Sequence, residues 1–384
     1  MTEKLYYVDS HIKEFYACVT SVKRNEENNL YEVILDKTAF FPEGGGQTSD
    51  KGFIGTARVI DVQEIDGEII HYTDTELCEK SEYFSKLDYE ERFYKMQNHT
   101  GEHIISGIIN RRFGFDNTGF HMGHDGVYVD YNGYLTAEEL AEVEAEANIA
   151  VWENVKIITE FPDKNILPTL TYRSKLDLTE NVRLVTIEGY DVCACCAPHV
   201  KLSGEVGIIK ILESVKNKGG TRLRMLCGND ALADYNKRFS LMSRCANRLS
   251  IKQEDLDKAI TKLEDEISSL KDKIYHMREE LIEHRIENIG ATEGNLCFFE
   301  DGLANNDMRK IMNRALPLCG GICAVFNGND DIGYTYVAAS KRVNLRETLE
   351  EMKIKLMARG GGAPELIQGS VAAKRADIEA FFEA

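Results

Sequence analysis

Long apolar runs are missing from this sequence. No stretch approaches the roughly 20 residues that a membrane-spanning helix needs, so no membrane partner is expected. The N-terminal MTEKLYYVDSHIKEF lacks the apolar core of a secretory signal. Proline is scarce, with 6 in 384 residues, and hydrophobic content of 43% is enough for real cores, which excludes a low-complexity chain. Positive charge is short as well. Lys and Arg number 46 against 64 Asp and Glu, a net charge of −18, so bulk charge does not attract a polyanion. Any nucleic-acid contact must come from local basic patches. The ten cysteines form no even framework of spaced pairs, which fits thiols in a reducing, cytoplasmic setting.

What is present reads as an α+β chain of several domains. Residues 1–84 alternate apolar and polar positions in ACVTSVKR and LYEVILDKTAF, and are expected to form a β-barrel-like domain. Residues 85–232 mix helices and strands. Within them Thr136, with Glu139 three residues on, marks the start of a strong helix. Residues 233–290 read as a helical spacer. There Leu256, Ile260, Leu263, Ile267, Leu270, Ile274, Met277 and Leu281 step by fours and threes, the seam of a coiled coil. That seam can pair with a second copy of itself or with the helix upstream. Residues 291–384 read as a small α/β domain, with strands at NLCFFEDG, GICAVFNGND and GYTYVAAS.

Two residue pairs carry the chemistry. His99-Thr-Gly-Glu-His103 lies in a segment of helical spacing, where i and i+4 project from one face. Far downstream stands Cys195-Cys-Ala-Pro-His199, also spaced i, i+4. Three imidazoles and one thiolate suit a tetrahedral zinc ion, one per chain. Cys193 and Cys196 flank the thiolate position and could replace Cys195. Strand alternation puts Cys193 and Cys195 on one face and Cys196 on the other, which favours Cys195.

In order along the chain, FFPEGGGQTSDKG, HTGEH and VRLVTIEGYDVCACCAPHVKLSGEVGIIKI resemble the zinc-dependent editing module of alanyl-tRNA synthetase and its free-standing AlaX-type relatives. The usual Cys-Gly-Gly-Thr-His is here Cys195-Cys-Ala-Pro-His199. Near the C-terminus, ARGGGAPELIQGS resembles the glycine-rich signature of the domain that ends alanyl-tRNA synthetases. The long AlaX form is the nearest match. The resemblance implies an enzyme that hydrolyses mischarged tRNA(Ala), carrying serine or glycine, in trans. It also implies that residues 291–384 bind RNA and self-associate, giving a homodimer through the C-terminal half.

The GGGQ segment is expected to form the second half of the pocket. Gly44, Gly45 and Gly46 let backbone approach an ester and offer N–H donors, and Gln47 is placed to bond substrate or orient water. Glu102, between the histidines, is a weaker candidate for a base or a partner of a ligand. His121 and His124, at i, i+3 in a glycine-rich stretch, read as a polar loop, and Asp130 as a solvated strand residue. For RNA, Lys216, Lys218, Arg222 and Arg224 form the best local patch, and Gly360, Gly361 and Gly362 with neighbouring Lys353, Lys355 and Arg359 form a second.

Two other readings stand beside the deacylase of tRNA(Ala). One is a zinc-stabilised tRNA-binding protein without turnover. The other is a deacylase of mischarged tRNA(Thr). The sequence does not rank serine against glycine, and leaves open whether zinc activates water or positions substrate.

Overall fold

The computed structural model describes residues 2–123, 125–174, 181–287, 290–303 and 305–383. Two compact units divide the chain, residues 1–245 and 246–384, with the division inside one helix.

In the first unit, a short strand β1 (Glu3–Lys4) and a helical turn α1 (Leu5–Val8) precede β2 (Glu14–Asn25), β3 (Leu30–Leu35), β4 (Lys37–Thr38), β5 (Gly52–Ile54), β6 (Ala57–Ile65), β7 (Glu68–Thr73) and β8 (Glu82–Leu87). β1 pairs with β4. The other six strands pair in the ring β2-β3-β7-β6-β5-β8, and β8 returns to β2, so the sheet closes on itself. Alternation along these strands sends Ala17, Val19, Val33, Leu35, Val59 and Ile69 into one buried core.

Helix α2 (Tyr89–Phe113) follows directly and is the spine of the unit. It ends at Gly114, whose left-handed backbone is a common helix stop. Strands β9 (Asn117–Gly123) and β10 (Gly126–Tyr131) come next, then α3 (Ala137–Glu153), which opens with the Thr136–Glu139 capping box that the spacing predicts. β11 (Ile157–Glu160), β12 (Leu184–Ile187) and β13 (Asp191–Ala194) form a three-stranded sheet. β14 (Ile209–Asn217) and β15 (Gly220–Cys227) join β10 and β9 in a four-stranded antiparallel sheet. Ile104, Ile105, Ile108 and Ile109 of α2 pack with Val127, Val129, Leu223 and Met225 of that sheet and Val143 and Ala147 of α3.

The spacer comprises two helices, the seam helix and the one upstream of it. α4 (Gly228–Leu249) and α5 (Leu256–Glu287) are separate, because Ser250 takes a positive φ of 55° and a short turn intervenes. Residues 288 and 289, at the end of the expected helical stretch, lie outside the described residues. Along α5 the seam residues Ile260, Leu263, Ile267, Leu270, Ile274, Met277 and Leu281 are exposed.

The second unit continues with β16 (Leu296–Glu300), α6 (Asn305–Ala315), β17 (Ile322–Asn329), β18 (Gly333–Ser340), α7 (Leu345–Lys355), β19 (Arg359–Ala363), β20 (Leu366–Val371) and α8 (Arg375–Glu383). These strands form one sheet in the order β16-β17-β18-β20-β19, with β16 and β17 parallel across the α6 connection. All three strands expected from the sequence of residues 291–384 are present. Ile282, at the end of α5, packs with Phe298, Met308, Ile311 and Val325 of this unit.

Candidate metal centre

Helix α2 presents His99 and His103 on one buried face. The partner elements are drawn close by glycines on the same helix. At Gly107 an added Cβ would lie 2.4 Å from the carbonyl oxygen of Tyr190, so only glycine admits the turn between β12 and β13. That contact sets Asp191 beside His103. β13 then leads into the loop that carries Cys195 and His199. The Arg183 guanidinium pins that loop by donating to the carbonyls of Cys195 at 3.0 Å and Ala197 at 2.8 Å.

The ligand atoms of His99, His103, Cys195 and His199 all lie within 4.8 Å of one another. The imidazole centroids are 4.6 to 5.4 Å apart. Cys195 Sγ is 3.5 Å from His99 Nε2 and 3.4 Å from His199 Nε2. In a tetrahedral zinc centre the nitrogen–sulfur edge is roughly 3.6 Å, given the usual bond lengths. The residues fit that ion in number, type and spacing. Burial pushes the His199 imidazole down to about 3, so it stays neutral, the form that ligates.

Each imidazole is fixed from behind through Nδ1. His99 Nδ1–H donates to Gln47 Oε1 at 3.0 Å. His103 Nδ1–H donates to Asp191 Oδ2 at 3.1 Å, and His199 Nδ1–H meets Thr100 Oγ1 at 3.0 Å. With Nδ1 carrying the proton, each Nε2 lone pair is left for a metal. Asp191 is itself held by Arg173, whose Nε and terminal nitrogen donate at 2.7 and 2.8 Å. His103, Asp191 and Cys193 form a second potential ligand group. The bidentate Arg173 contact makes Asp191 a support for His103 in that set. Asp191, Thr100, Arg173 and Arg183 carried no spacing signal in the sequence, because each acts across the fold.

The GGGQ segment is a tight hairpin. Gly44 and Gln47 exchange backbone hydrogen bonds at 3.0 Å, and Gly45 and Gly46 between them have φ of 63° and 83°. Two-residue hairpin loops favour glycine at such positions. At Gly46 a Cβ would also meet the Phe120 ring at 2.6 Å. Gly45 reaches a cleft of about 300 Å³ that adjoins the metal ligands and is also lined by Tyr7, Glu102, Asn117, Phe120 and Arg183. Gln47 is fully buried and reaches the site through His99. Its Nε2 has no hydrogen-bond partner among the described residues. The hairpin is locked to α2 by a buried ion pair. Asp50 Oδ2 accepts from Arg92 Nε at 2.8 Å and from the Phe41 amide at 2.7 Å, while Lys95 Nζ donates to the Ser49 carbonyl at 2.7 Å.

The expected RNA-contacting residues fall on two elements, the β14–β15 hairpin of the first unit and strand β19 of the second. Lys216 and Lys218 are exposed where β14 turns into β15, and the Lys216 ammonium lies 5.7 Å from the Tyr134 ring centroid. Arg222 makes a bidentate ion pair with Asp130, both bonds at 2.7 Å, and Arg224 pairs with Glu213 at 2.6 Å. Asp130 is thus a partner of Arg222 rather than a solvated residue. Gly360, Gly361 and Gly362 lie in the exposed edge strand β19 of the second unit. His121 is exposed on β9, and His124 lies outside the described residues.

A family model described as the threonyl and alanyl tRNA synthetase second additional domain matches residues 182–224. Another, described as tRNA synthetases class II (A), matches residues 1–85. The chain is 30% identical to an alanyl-tRNA editing protein AlaX-L of Pyrococcus horikoshii, over 98% of this chain and 96% of that protein. It is 29% identical to an alanine–tRNA ligase of Ignicoccus hospitalis over 94% of this chain, and 28% identical to that of Methanothrix thermoacetophila over 99%. It spans 40% and 44% of the length of those two ligases.

Proposed function

Because the chain belongs to the AlaX-type alanyl-tRNA editing proteins, we propose that it removes serine or glycine from mischarged tRNA(Ala) at the His99–His103–Cys195–His199 centre. It is an aminoacyl-tRNA deacylase, an enzyme of the carboxylic ester hydrolase type. The observation that carries the finer reading is the convergence of His99, His103, Cys195 and His199, the first three of which line a cleft.

A zinc ion in that set would supply a Lewis acid and a fixed positive charge beside the ester. The chain's own groups supply the rest. Gln47, Asp191 and Thr100 hold the three rings in the ligating tautomer. Gly45, exposed at the cleft, brings backbone close to the ester carbonyl, and Gly46 keeps the hairpin tight against Phe120. Gln47 is a positioning residue on this reading, acting through His99. Phe120 and Tyr7 add aromatic walls to the cleft that would receive the ester.

Capture of the tRNA falls to Lys216, Lys218, Arg222 and Arg224, with Gly360, Gly361 and Gly362 of the glycine-rich strand as a second contact. The exposed seam of α5 supports a homodimer through the C-terminal half. A four-part organisation, with divisions near residues 84, 232 and 290, and a cytoplasmic location complete the proposal.

One alternative has an observation in its favour. The family description at residues 182–224 names threonyl as well as alanyl synthetases, which keeps mischarged tRNA(Thr) as a second substrate. The test is a deacylation assay on Ser-tRNA(Ala), Gly-tRNA(Ala) and Ser-tRNA(Thr). Turnover of the first or second, with the third and correctly charged Ala-tRNA(Ala) spared, is expected. Turnover of Ser-tRNA(Thr) alone would reassign the substrate, and no turnover by zinc-loaded protein would leave a tRNA-binding protein.

A further inference from the structure

Glu102 stands between the two histidines of α2, yet its side chain is held on the cleft side rather than turned away. It is buried, at 3% exposure, and it lines the cleft together with Asn117 and Phe120. Among the described residues, two neighbours hold it. Ser106 Oγ–H and Asn117 Nδ2–H both donate to Oε1. Ser106 has one hydroxyl proton, and it goes to Glu102. The 2.7 Å contact between Ser106 Oγ and Tyr131 therefore has the Tyr131 phenol as donor. Burial pushes the Tyr131 phenol far up, so it keeps its proton and the chain of donors runs one way, Tyr131 to Ser106 to Glu102. The other oxygen, Oε2, lies 4.0 Å from His103 Nε2, the nitrogen that faces the metal corner.

A carboxylate placed in this way suits one feature of an aminoacyl ester. The α-nitrogen lies two bonds from the carbonyl carbon, a span of about 2.5 Å from standard bond lengths. An ester carbonyl brought to the metal corner therefore has its amino group within reach of an acceptor set 4.0 Å from His103 Nε2. The uncharged 3′ end of a tRNA has no such group. We propose that Glu102 accepts a hydrogen bond from the α-amino group of the ester-linked amino acid, and so selects aminoacyl esters over other acyl esters. This rests on the deacylase reading above and gives a recognition role to a residue that is not one of the four ligand candidates.

The test compares two esters on zinc-loaded, full-length protein: Ser-tRNA(Ala), and the same molecule with its α-amino group replaced by hydrogen, which leaves no donor at that position. A hydrogen bond to a charged group corresponds to roughly ten- to hundredfold in kcat/KM, so the wild type should favour the seryl ester by about that factor. In Glu102→Gln the preference should fall to within about threefold, with zinc content unchanged. Glu102→Asp keeps the charge but draws it back, and should give an intermediate preference. It also serves if the glutamine variant does not fold. Affinity for a non-hydrolysable amide analogue of seryl-adenosine, against its des-amino form, reads the same contact without turnover. Equal handling of both compounds by the wild type overturns the proposal. So does a Glu102→Gln variant slowed equally on both esters, which is the signature of a base or a purely structural group. Failure of the wild type on Ser-tRNA(Ala), with the amide preference retained and lost in Glu102→Gln, removes the deacylase reading and leaves the contact standing.

Discussion

Gln47 Oε1 lies 3.0 Å from His99 Nδ1, while Nε2 of the same ring faces Cys195 Sγ at 3.5 Å. The amide therefore sets the tautomer of a ligand from a hairpin 52 residues upstream. Partners of this kind usually alter metal affinity by about 10- to 100-fold when removed. We predict that Gln47→Ala weakens zinc binding by about that factor in competition with a chelator, and lowers turnover more than tRNA affinity. Unchanged zinc affinity would take Gln47 out of the support of His99.

The ligand set predicts about one equivalent of zinc in purified protein. His103→Ala with His199→Ala should abolish it, as should Cys195→Ser. Cys193→Ser and Cys196→Ser should retain it, because Sγ of Cys195 is the thiol grouped with the three histidines. Zinc retained in Cys195→Ser but lost in Cys193→Ser would move the ligand.

Arg92 and Asp50 form an ion pair in which both side chains are almost wholly buried. Removing one partner leaves the other charge stranded, at a cost of about 3–5 kcal/mol. Arg92→Ala should lose that much in chemical denaturation, and Arg92→Met with Asp50→Asn should recover part of it. Because the pair ties the GGGQ hairpin to α2, the single variant should also weaken zinc binding. A loss below 1 kcal/mol would mean that the pair contributes no more than a surface one.

His71 is enclosed in the barrel, between the Thr38 hydroxyl at 2.8 Å and the Val33 carbonyl at 3.0 Å. Burial holds its imidazole down to about 4. In the unfolded chain the same group titrates near 6.5, so from pH 6.5 down to 4 the unfolded state takes up a proton that the folded state refuses. The contribution is complete above about pH 6.5 and lost as pH falls toward 4. It should amount to about 2–3 kcal/mol between pH 7 and 4.5. Urea denaturation at the two pH values should show that difference reduced in His71→Gln. An equal pH dependence in the variant would show that other groups carry it.

The seam on α5 predicts a dimer in light scattering of the full chain, and a monomer for Ile267→Glu with Ile274→Glu. A wild-type monomer at micromolar concentration would reject pairing between copies.

The residues of the His99–His103–Cys195–His199 cluster were legible in the sequence because their spacing is local. His99 and His103 share a helix face, and Cys195 and His199 share one loop. The Thr136 cap and the strands of residues 291–384 were legible for the same reason. Asp191, Thr100 and Arg173 were not, since their roles exist only once β13 packs on α2 through Gly107. Gln47 was found by motif, but its direction was not. A glutamine beside three glycines suggests a substrate contact, whereas burial under the hairpin turns it toward His99. Helix geometry points a residue between two facing histidines elsewhere, whereas Ser106 and Asn117 draw Glu102 to the cleft.

The four ligands come from two places nearly a hundred residues apart, positions 99 and 103 on one side and 195 and 199 on the other. All ten cysteines are free thiols, so no disulfide ties these regions together. A bound ion would do so instead, as a cross-link that closes a loop of about the length for which a disulfide restricts the unfolded chain by about 4–5 kcal/mol. Metal loading would then add to the packing and hydrogen bonds that already join α2 to the loop, and its withdrawal should loosen residues 89–200 and raise their susceptibility to proteases between the two regions.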